Sequence, residues 1–299
     1  MDKLVIIDGH AILHRAFHAL PPLTTKTGEP INAVYGLVSM LLRVIQDLKP
    51  THLIVCMDEK EKTFRQKEFK AYQAHRPKTA DELSSQFAKA KDTVRAFKIP
   101  LFSKPGFEAD DVIGTLTKQA KGKAEVVIVT GDRDILQLVN STTFVYMPLL
   151  GLSQGKLYKI EEVVERMGLV PSLIPDYKAL VGDSSDNYKG VPGIGPKTAI
   201  TLLGKYQSVD DIYKHLEEIP PKVSEKLIKG KKDALMSHHL ATIVCDVKGI
   251  KLDLEKADDW DVDNQEVLAL FSEYGFKTLT ERVKKVGQEQ DQAKQMTLI

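Results

Sequence analysis

The residues of this chain best suited to chemistry are acids that recur at the ends of apolar runs. "KLVII" (3–7) leads into Asp8, "HLIVCM" (52–57) into Asp58, and "EVVIVT" (125–130) into "TGDRD", with Asp132 and Asp134. "GFEADDVIGTL" (106–116) crowds Glu108, Asp110 and Asp111 into one helical turn, and "GDSSDN" adds Asp183 and Asp186. Singly, each has an ordinary explanation. Acids in a first helical turn complement the macrodipole or cap the helix, and Asp after a strand is turn chemistry. Nine carboxylates converging on one place are different, because like charges a few ångströms apart repel too strongly to stay ionised without cations. An all-oxygen donor set, with no His or Cys expected nearby, points to Mg²⁺ or Mn²⁺ rather than Zn²⁺. A pair of such ions about 3.5–4 Å apart is suited to phosphodiester hydrolysis.

The elements that must position these acids are legible as alternating patterns. Four β-branched runs (3–7, 52–57, 125–130 and 143–147) read as buried strands. Helical patterns fall between them at 33–48, at 80–97 and from Glu108 to about Lys121. Alternation of this kind predicts a mainly parallel sheet covered by helices, an α/β fold, with ligands beyond the carboxyl ends of the strands. Asp132 and Asp134 share a direction if that segment stays extended, whereas Glu108 and Asp111 share a helix face. After about residue 155 the strand signal stops, and short helices are expected at 161–168, 172–181, 196–206, 209–217, 233–243 and 264–274. The organisation expected is an α/β core over 1–180, a helical region over 181–285 and a flexible polar tail over 286–299.

Two further stretches bear on the substrate. "GVPGIGPKTAITLL" (190–203) places Gly190, Gly193 and Gly195 in a tight hairpin that runs into a helix opened by Pro196. Backbone N–H groups at such a junction, with Lys197 and Thr198 beside them, suit a phosphate. This is the helix–hairpin–helix pattern of sequence-independent DNA backbone binding. "KEKTFRQKEFKAYQAHRPK" (60–78) interleaves Lys60, Lys62, Arg65, Lys67, Lys70, Arg76 and Lys78 with Phe64, Phe69 and Tyr72. Beside a metal cluster it reads as a surface that grips a strand, with cations for phosphates and aromatics for bases.

Composition narrows the class. The chain has 299 residues, 42% of them hydrophobic and 28% charged, and a net charge of +1, so any attraction to nucleic acid must be local. Cys56 and Cys245 form no CxxC pair, which argues against a disulfide framework or a zinc site of the usual spacing. No run reaches membrane-spanning length, and the first apolar run is too short for a signal peptide, so a soluble cytoplasmic protein is expected.

Taken in order, "IDGH", "FRQKEFKAYQAHR", "GFEADD", "TGDRDILQL" and "GDSSDNYKGVPGIGPKTA" resemble the bacterial 5′ nucleases of the flap endonuclease superfamily. The likeness spans about residues 3–283. It implies a PIN-like 5′ nuclease fold and a metal-dependent nuclease that trims 5′ ends and flaps in replication and repair. By position, Asp8, Asp58, Glu108, Asp110 and Asp132 would lie nearer the catalytic ion, and Asp111, Asp134, Asp183 and Asp186 would support a second. Residues 60–78 would form the helical arch, with Arg65, Lys70, Tyr72, Gln73 and Arg76 toward DNA and Arg65 and Arg76 at the scissile phosphate. Gly193 and Gly195 would lie in the hairpin for duplex DNA, where relatives hold a monovalent cation, K⁺ here, on backbone carbonyls.

The arch departs from the family pattern, which reads Tyr-Lys-Ala-x-Arg: this chain has "YQAHR", with neutral Gln73 at the lysine position. Two other readings follow from the residues, a branched-DNA-binding protein without activity and a small PIN-like ribonuclease. The acids argue against the first and the hairpin against the second. The chain is expected to act as a monomer, nucleoid-associated, either free-standing or the nuclease part of a polymerase. Its partners are DNA with 5′ flaps, nicks or free 5′ ends, RNA primer ends among them. "QMTLI" (295–299) resembles the short peptides that dock on the bacterial sliding clamp.

Overall fold

The computed structural model describes residues 2–148 and 155–297. Six strands form one sheet in the order β3-β2-β1-β4-β5-β6. They are β1 (Asp2–Asp8), β2 (His52–Cys56), β3 (Leu101–Phe102), β4 (Ala124–Val129), β5 (Thr143–Pro148) and β6 (Gly155–Tyr158). The first five run parallel, and β6 returns antiparallel at the edge. The strand order reverses at β1, between β2 and β4, so the strands that end in Asp8, Asp58 and Asp132 lie side by side. That is the crevice in which open α/β sheets bind ligands.

The central strands are buried on both faces, as parallel sheets are. Val5, Ile7, Leu53, Val55, Val127 and Val129 face one core. It is closed by α1 (Gly9–Ala19), α2 (Asn32–Leu48) and α5 (Gln86–Ala96), together with α13 (Gln265–Tyr274) and α14 (Lys277–Thr297). Leu4, Ile6, Ile54, Cys56, Val126 and Ile128 face the other, against α6 (Ala109–Ala120) and residues 243–257. A third core, from Leu169 to Ala234, belongs to the helical region.

The remaining elements are α3 (Phe64–Glu68), α4 (Asp81–Ser84), α7 (Ile160–Met167), α8 (Ile174–Val181), α9 (Pro196–Tyr206), α10 (Val209–Lys214), α11 (Pro221–Ala241) and α12 (Leu254–Asp258). A small hairpin, β7 (Gly182–Asp183) with β8 (Tyr188–Lys189), follows α8. No described helix is long and apolar enough to cross a membrane.

Several expectations need correction. The helix expected over 80–97 is two, α4 and α5, broken at Ser85. The helix expected at 233–243 is the last part of the 21-residue α11. Strand structure continues past 155 as β6 and the β7–β8 hairpin. Over 286–297 the expected tail is helical, since α14 runs on to Thr297. Its Gln, Glu and Lys residues favour a helix intrinsically even though they lack an apolar stripe. Leu298 and Ile299, which complete the clamp-like peptide, lie outside the described residues.

Candidate active site

Asp8 is at once the last residue of β1 and the N-cap of α1. One carboxylate oxygen accepts from the Ala11 N–H (3.0 Å) and the other from the Thr130 hydroxyl (2.7 Å). Asp58, just past β2, reaches across to cap α6 by accepting from the Ala109 N–H at 2.7 Å. Asp132, past β4, donates its N–H to the Thr130 hydroxyl and accepts from the Asp134 N–H at 2.9 Å. Asp110 projects from the first turn of α6. These four acids and Glu108 line one cavity of about 550 Å³, which Asp134, Asp186, Glu59 and Glu61 also enter. Nine carboxylates face only Lys60, Arg65 and Arg76 as permanent cations in that lining.

The electrostatics record the imbalance. Burial, partly offset by the Ala11 and Thr130 hydrogen bonds, pushes Asp8 up to about 7. Burial likewise raises Glu108 to about 7 despite Arg65, and lifts Asp110 well above the carboxylate range with help from Asp132 and Asp8. Carboxylates held this way bind protons near neutral pH unless a stronger cation replaces them. The donor set therefore fits a divalent ion.

A second group forms where the β7–β8 turn meets the sheet edge. Asp134, Asp183 and Asp186 bring one oxygen each within 4.8 Å of one another. A cation from the chain itself already stands there, because the buried Lys178 of α8 bridges Asp134 and Asp183. Burial raises Asp134 to about 6 against the pull of Lys178, whereas at Asp183 burial is outweighed by Lys178 together with the Ser185 hydrogen bonds, which lower it. The extended 132–134 segment expected from the sequence is instead the start of a 3₁₀ turn at Asp134, which sends that carboxylate toward Lys178 rather than alongside Asp132.

Five expected roles are not those the geometry offers. Asp111 is fully buried, and its two oxygens accept four hydrogen bonds: two from Arg65 and one each from the N–H groups of Glu108 and Val244. It has no capacity left for an ion. Arg65 is 2% exposed and spends its guanidinium on Asp111, Glu108 and the carbonyls of Leu240 and Thr242, so it cannot reach a phosphate. It ties α3 to α6 and to the end of α11.

Tyr72 is buried rather than open to a base. Its ring lies parallel to that of Tyr188, and its hydroxyl donates to Glu108 and Asp186. Gln73, with φ +54°, donates its backbone N–H to the Asp186 carbonyl and its amide to the Asp186 carboxylate at 3.0 Å. Arg76 donates to the same carboxylate and to the Ser185 carbonyl. The descending limb of the expected arch is thus pinned to the acidic turn, with Lys60, Lys62, Lys67, Lys70 and Lys78 exposed alongside the half-exposed Arg76.

The glycine hairpin forms as its residues require. Gly190 is buried, and a Cβ there would meet the Gly182 nitrogen and the Leu180 oxygen at 2.3 Å. Gly193 turns with φ +80°. Its carbonyl accepts from the Lys226 ammonium at 3.0 Å, and Gly195 caps α9, with Lys197 exposed in its first turn.

The sequence reading missed Lys178, Asn187, His10 and His14. Asn187 donates to the Ala71 carbonyl and so also holds the arch down. His10 and His14 line the cavity, contrary to the expectation that no histidine lies near the acids. Their i, i+4 spacing directly after Asp8 was the available signal.

Comparison with known proteins agrees with this geometry. Residues 3–168 match the family described as 5′-3′ exonuclease, N-terminal resolvase-like domain, and residues 169–265 match 5′-3′ exonuclease, C-terminal SAM fold. The chain belongs to the 5′–3′ exonuclease family, whose members are metal-dependent nucleases. It is 41% identical to DNA polymerase I of Bacillus subtilis over 98% of this chain and 33% of that protein. With DNA polymerase I of Caldicellulosiruptor bescii it shares 40% identity over 94% of this chain and 33% of that protein. It thus spans about a third of the length of these curated relatives.

Among solved structures, the bacteriophage T5 flap endonuclease in a complex with DNA and metal ions has a TM-score of 0.67. It is 19% identical over 95% of this chain and 97% of that one. The catalytic core of Rad2 in complex with DNA substrate has a TM-score of 0.62, at 14% identity over 95% and 92%. The fold is shared across both.

Proposed function

We propose that this chain is a structure-specific 5′ nuclease that hydrolyses phosphodiester bonds at 5′ flaps and 5′ ends of DNA in replication and repair. The observation that carries the reading is the convergence of Asp8, Asp58, Asp110 and Asp132 in one cavity at the reversal point of the sheet. Asp8, Asp58, Glu108, Asp110 and Asp132 would hold one divalent ion, Mg²⁺ or Mn²⁺. Asp134, Asp183 and Asp186 would hold a second, with Lys178 giving way or sharing the charge. Such ions supply the activation of water and the stabilisation of the leaving oxygen that this hydrolysis needs.

The chain's own residues do the rest. Thr130 and the N-termini of α1 and α6 hold Asp8 and Asp58 in fixed orientations. Arg65 locks α3 to α6, which holds Glu108 at the cavity wall. Lys60, Lys62, Lys67 and Lys70 offer exposed charge to a single strand, and the hairpin with Lys197 offers N–H groups and charge to a duplex. Exposed cations for a single strand together with a hairpin for a duplex support DNA with 5′ flaps, nicks or free 5′ ends as the substrate. Such a substrate is consistent with a cytoplasmic, nucleoid-associated monomer.

The test is cleavage of a 5′-flap duplex with Mg²⁺ or Mn²⁺, against EDTA and against Asp132→Ala. Cleavage is expected only for the wild type with metal, while Asp132→Ala still binds the duplex. Cleavage that persists in EDTA would overturn the metal-dependent reading.

A further inference from the structure

His10 lines the cavity beside the acids, and the fold goes to some length to place it. Gly9 separates it from Asp8, and a Cβ on Gly9 would meet the Met57 sulfur at 2.4 Å and Val55 at 2.8 Å. Only glycine lets α1 start so close to β2, and that closeness brings His10 beside Asp58. The His10 ring then lies flat on Phe87, with centroids 4.9 Å apart and planes at 15°, and packs against His14 at 4.8 Å. The side chain as a whole keeps 28% of its exposure. Its Nδ1 is sealed from solvent and has no hydrogen-bond partner.

That nitrogen lies 3.6 Å from Oδ2 of Asp58, whose other oxygen is taken by the Ala109 N–H. The separation is too long for a hydrogen bond. It is close to the spacing of two atoms bound to one ion: with bonds of about 2.1 Å, such atoms lie about 3.0 Å apart in octahedral and about 3.4 Å apart in tetrahedral coordination. A buried nitrogen left without a partner, fixed by stacking and facing a carboxylate, is an open ligand position.

We propose that His10 Nδ1 and Asp58 Oδ2 bind the same divalent ion, placing one imidazole nitrogen in an otherwise oxygen-donor centre. The inference rests on the metal-dependent reading above. Its consequence is metal choice. Imidazole adds affinity for first-row transition ions far more than for Mg²⁺, so this centre favours Mn²⁺, Co²⁺ or Zn²⁺ over Mg²⁺ relative to an all-carboxylate site.

The experiment uses the full chain loaded with Mn²⁺ and reads nitrogen coupling to the bound ion by electron spin-echo envelope modulation. Wild type is expected to show directly bound ¹⁴N, which converts to the ¹⁵N pattern when only histidine is ¹⁵N-labelled. That arm needs no variant. His10→Phe keeps the ring on Phe87 and should bind Mn²⁺ without nitrogen coupling, while His14→Phe should retain the coupling. Competition should show the Mn²⁺-over-Mg²⁺ preference falling by about tenfold or more in His10→Phe. Bound Mn²⁺ with no nitrogen coupling in wild type, or coupling lost with His14→Phe and kept with His10→Phe, would overturn the assignment to His10 alone. No bound Mn²⁺ at all would overturn the metal-dependent reading with it.

Discussion

Replacing Asp8 with Asn should stabilise the metal-free protein at neutral and alkaline pH. Burial holds the Asp8 carboxyl at about 7 in the folded chain, against about 3.9 for an unfolded aspartate. Between those values the native state carries more protons than the unfolded one, so stability falls as pH rises and levels off above the native value. A shift of about 3 units at about 1.4 kcal/mol each sets a ceiling of about 4 kcal/mol. Burial is the main cause and repulsion from Asp58 and Asp132 the lesser one, and because these acids titrate together the expected effect is taken at ~2 kcal/mol, about half the ceiling. Asn preserves the local bonds: its oxygen accepts from the Ala11 N–H and its amide donates to the Thr130 hydroxyl. Calorimetry in EDTA at pH 8 should therefore show Asp8→Asn melting about 3 °C above wild type, with the gain gone near pH 4. With saturating Mn²⁺ the order should reverse, because only the wild type keeps the full ligand set and the stabilisation that binding adds. An Asp8→Asn protein no more stable than wild type at pH 8, or equally favoured at both pH values, would refute the reasoning.

Arg65→Met should cost about 3–5 kcal/mol in denaturant unfolding, since it strands the buried Asp111 carboxylate; a loss under 1 kcal/mol would show that Arg65 is not a structural tie. Gln73→Ala removes one of the bonds that hold the arch to Asp186, so tryptic cleavage after Lys70 in metal-free protein should accelerate about fivefold, the effect of roughly 1 kcal/mol on local opening. Gln73→Lys should slow the same cleavage by pairing with Asp186. Unchanged proteolysis in both variants would mean the arch is held elsewhere.

The sheet was legible because its central strands are β-branched runs, and each acid at a strand end carried its own position. What was not legible was partnership. Nothing local distinguishes Asp111 from Asp110, yet Asp111 is saturated by an arginine 46 residues earlier while Asp110 faces the cavity. The helix α1 went unread because Asp8 serves as strand end and helix cap at once, leaving no turn between the two elements. Arch aromatics read as base-stacking groups because spacing reports which residues are neighbours and not which way they face. Tyr72 turned inward onto Tyr188 and Asp186.

These hidden partnerships explain how so acidic a site folds before any ion arrives. The chain places three cations of its own against the acids, each at a different depth. Arg65 neutralises Asp111 permanently and is buried with it. Lys178 sits between Asp134 and Asp183, and Arg76 lies on Asp186 from a half-exposed position. Burial pushes Asp8 and Asp110, which have no such partner, toward protonation, and it also raises Glu108 and Asp134 against the pull of theirs. Charge is thus settled by a buried arginine at Asp111, by a lysine and an arginine at the second acidic group, and in part by protons on the carboxylates that burial raises in the cavity. That gradation separates an acid saturated within the fold, Asp111, from those left open to the cavity, which spacing along the chain cannot do.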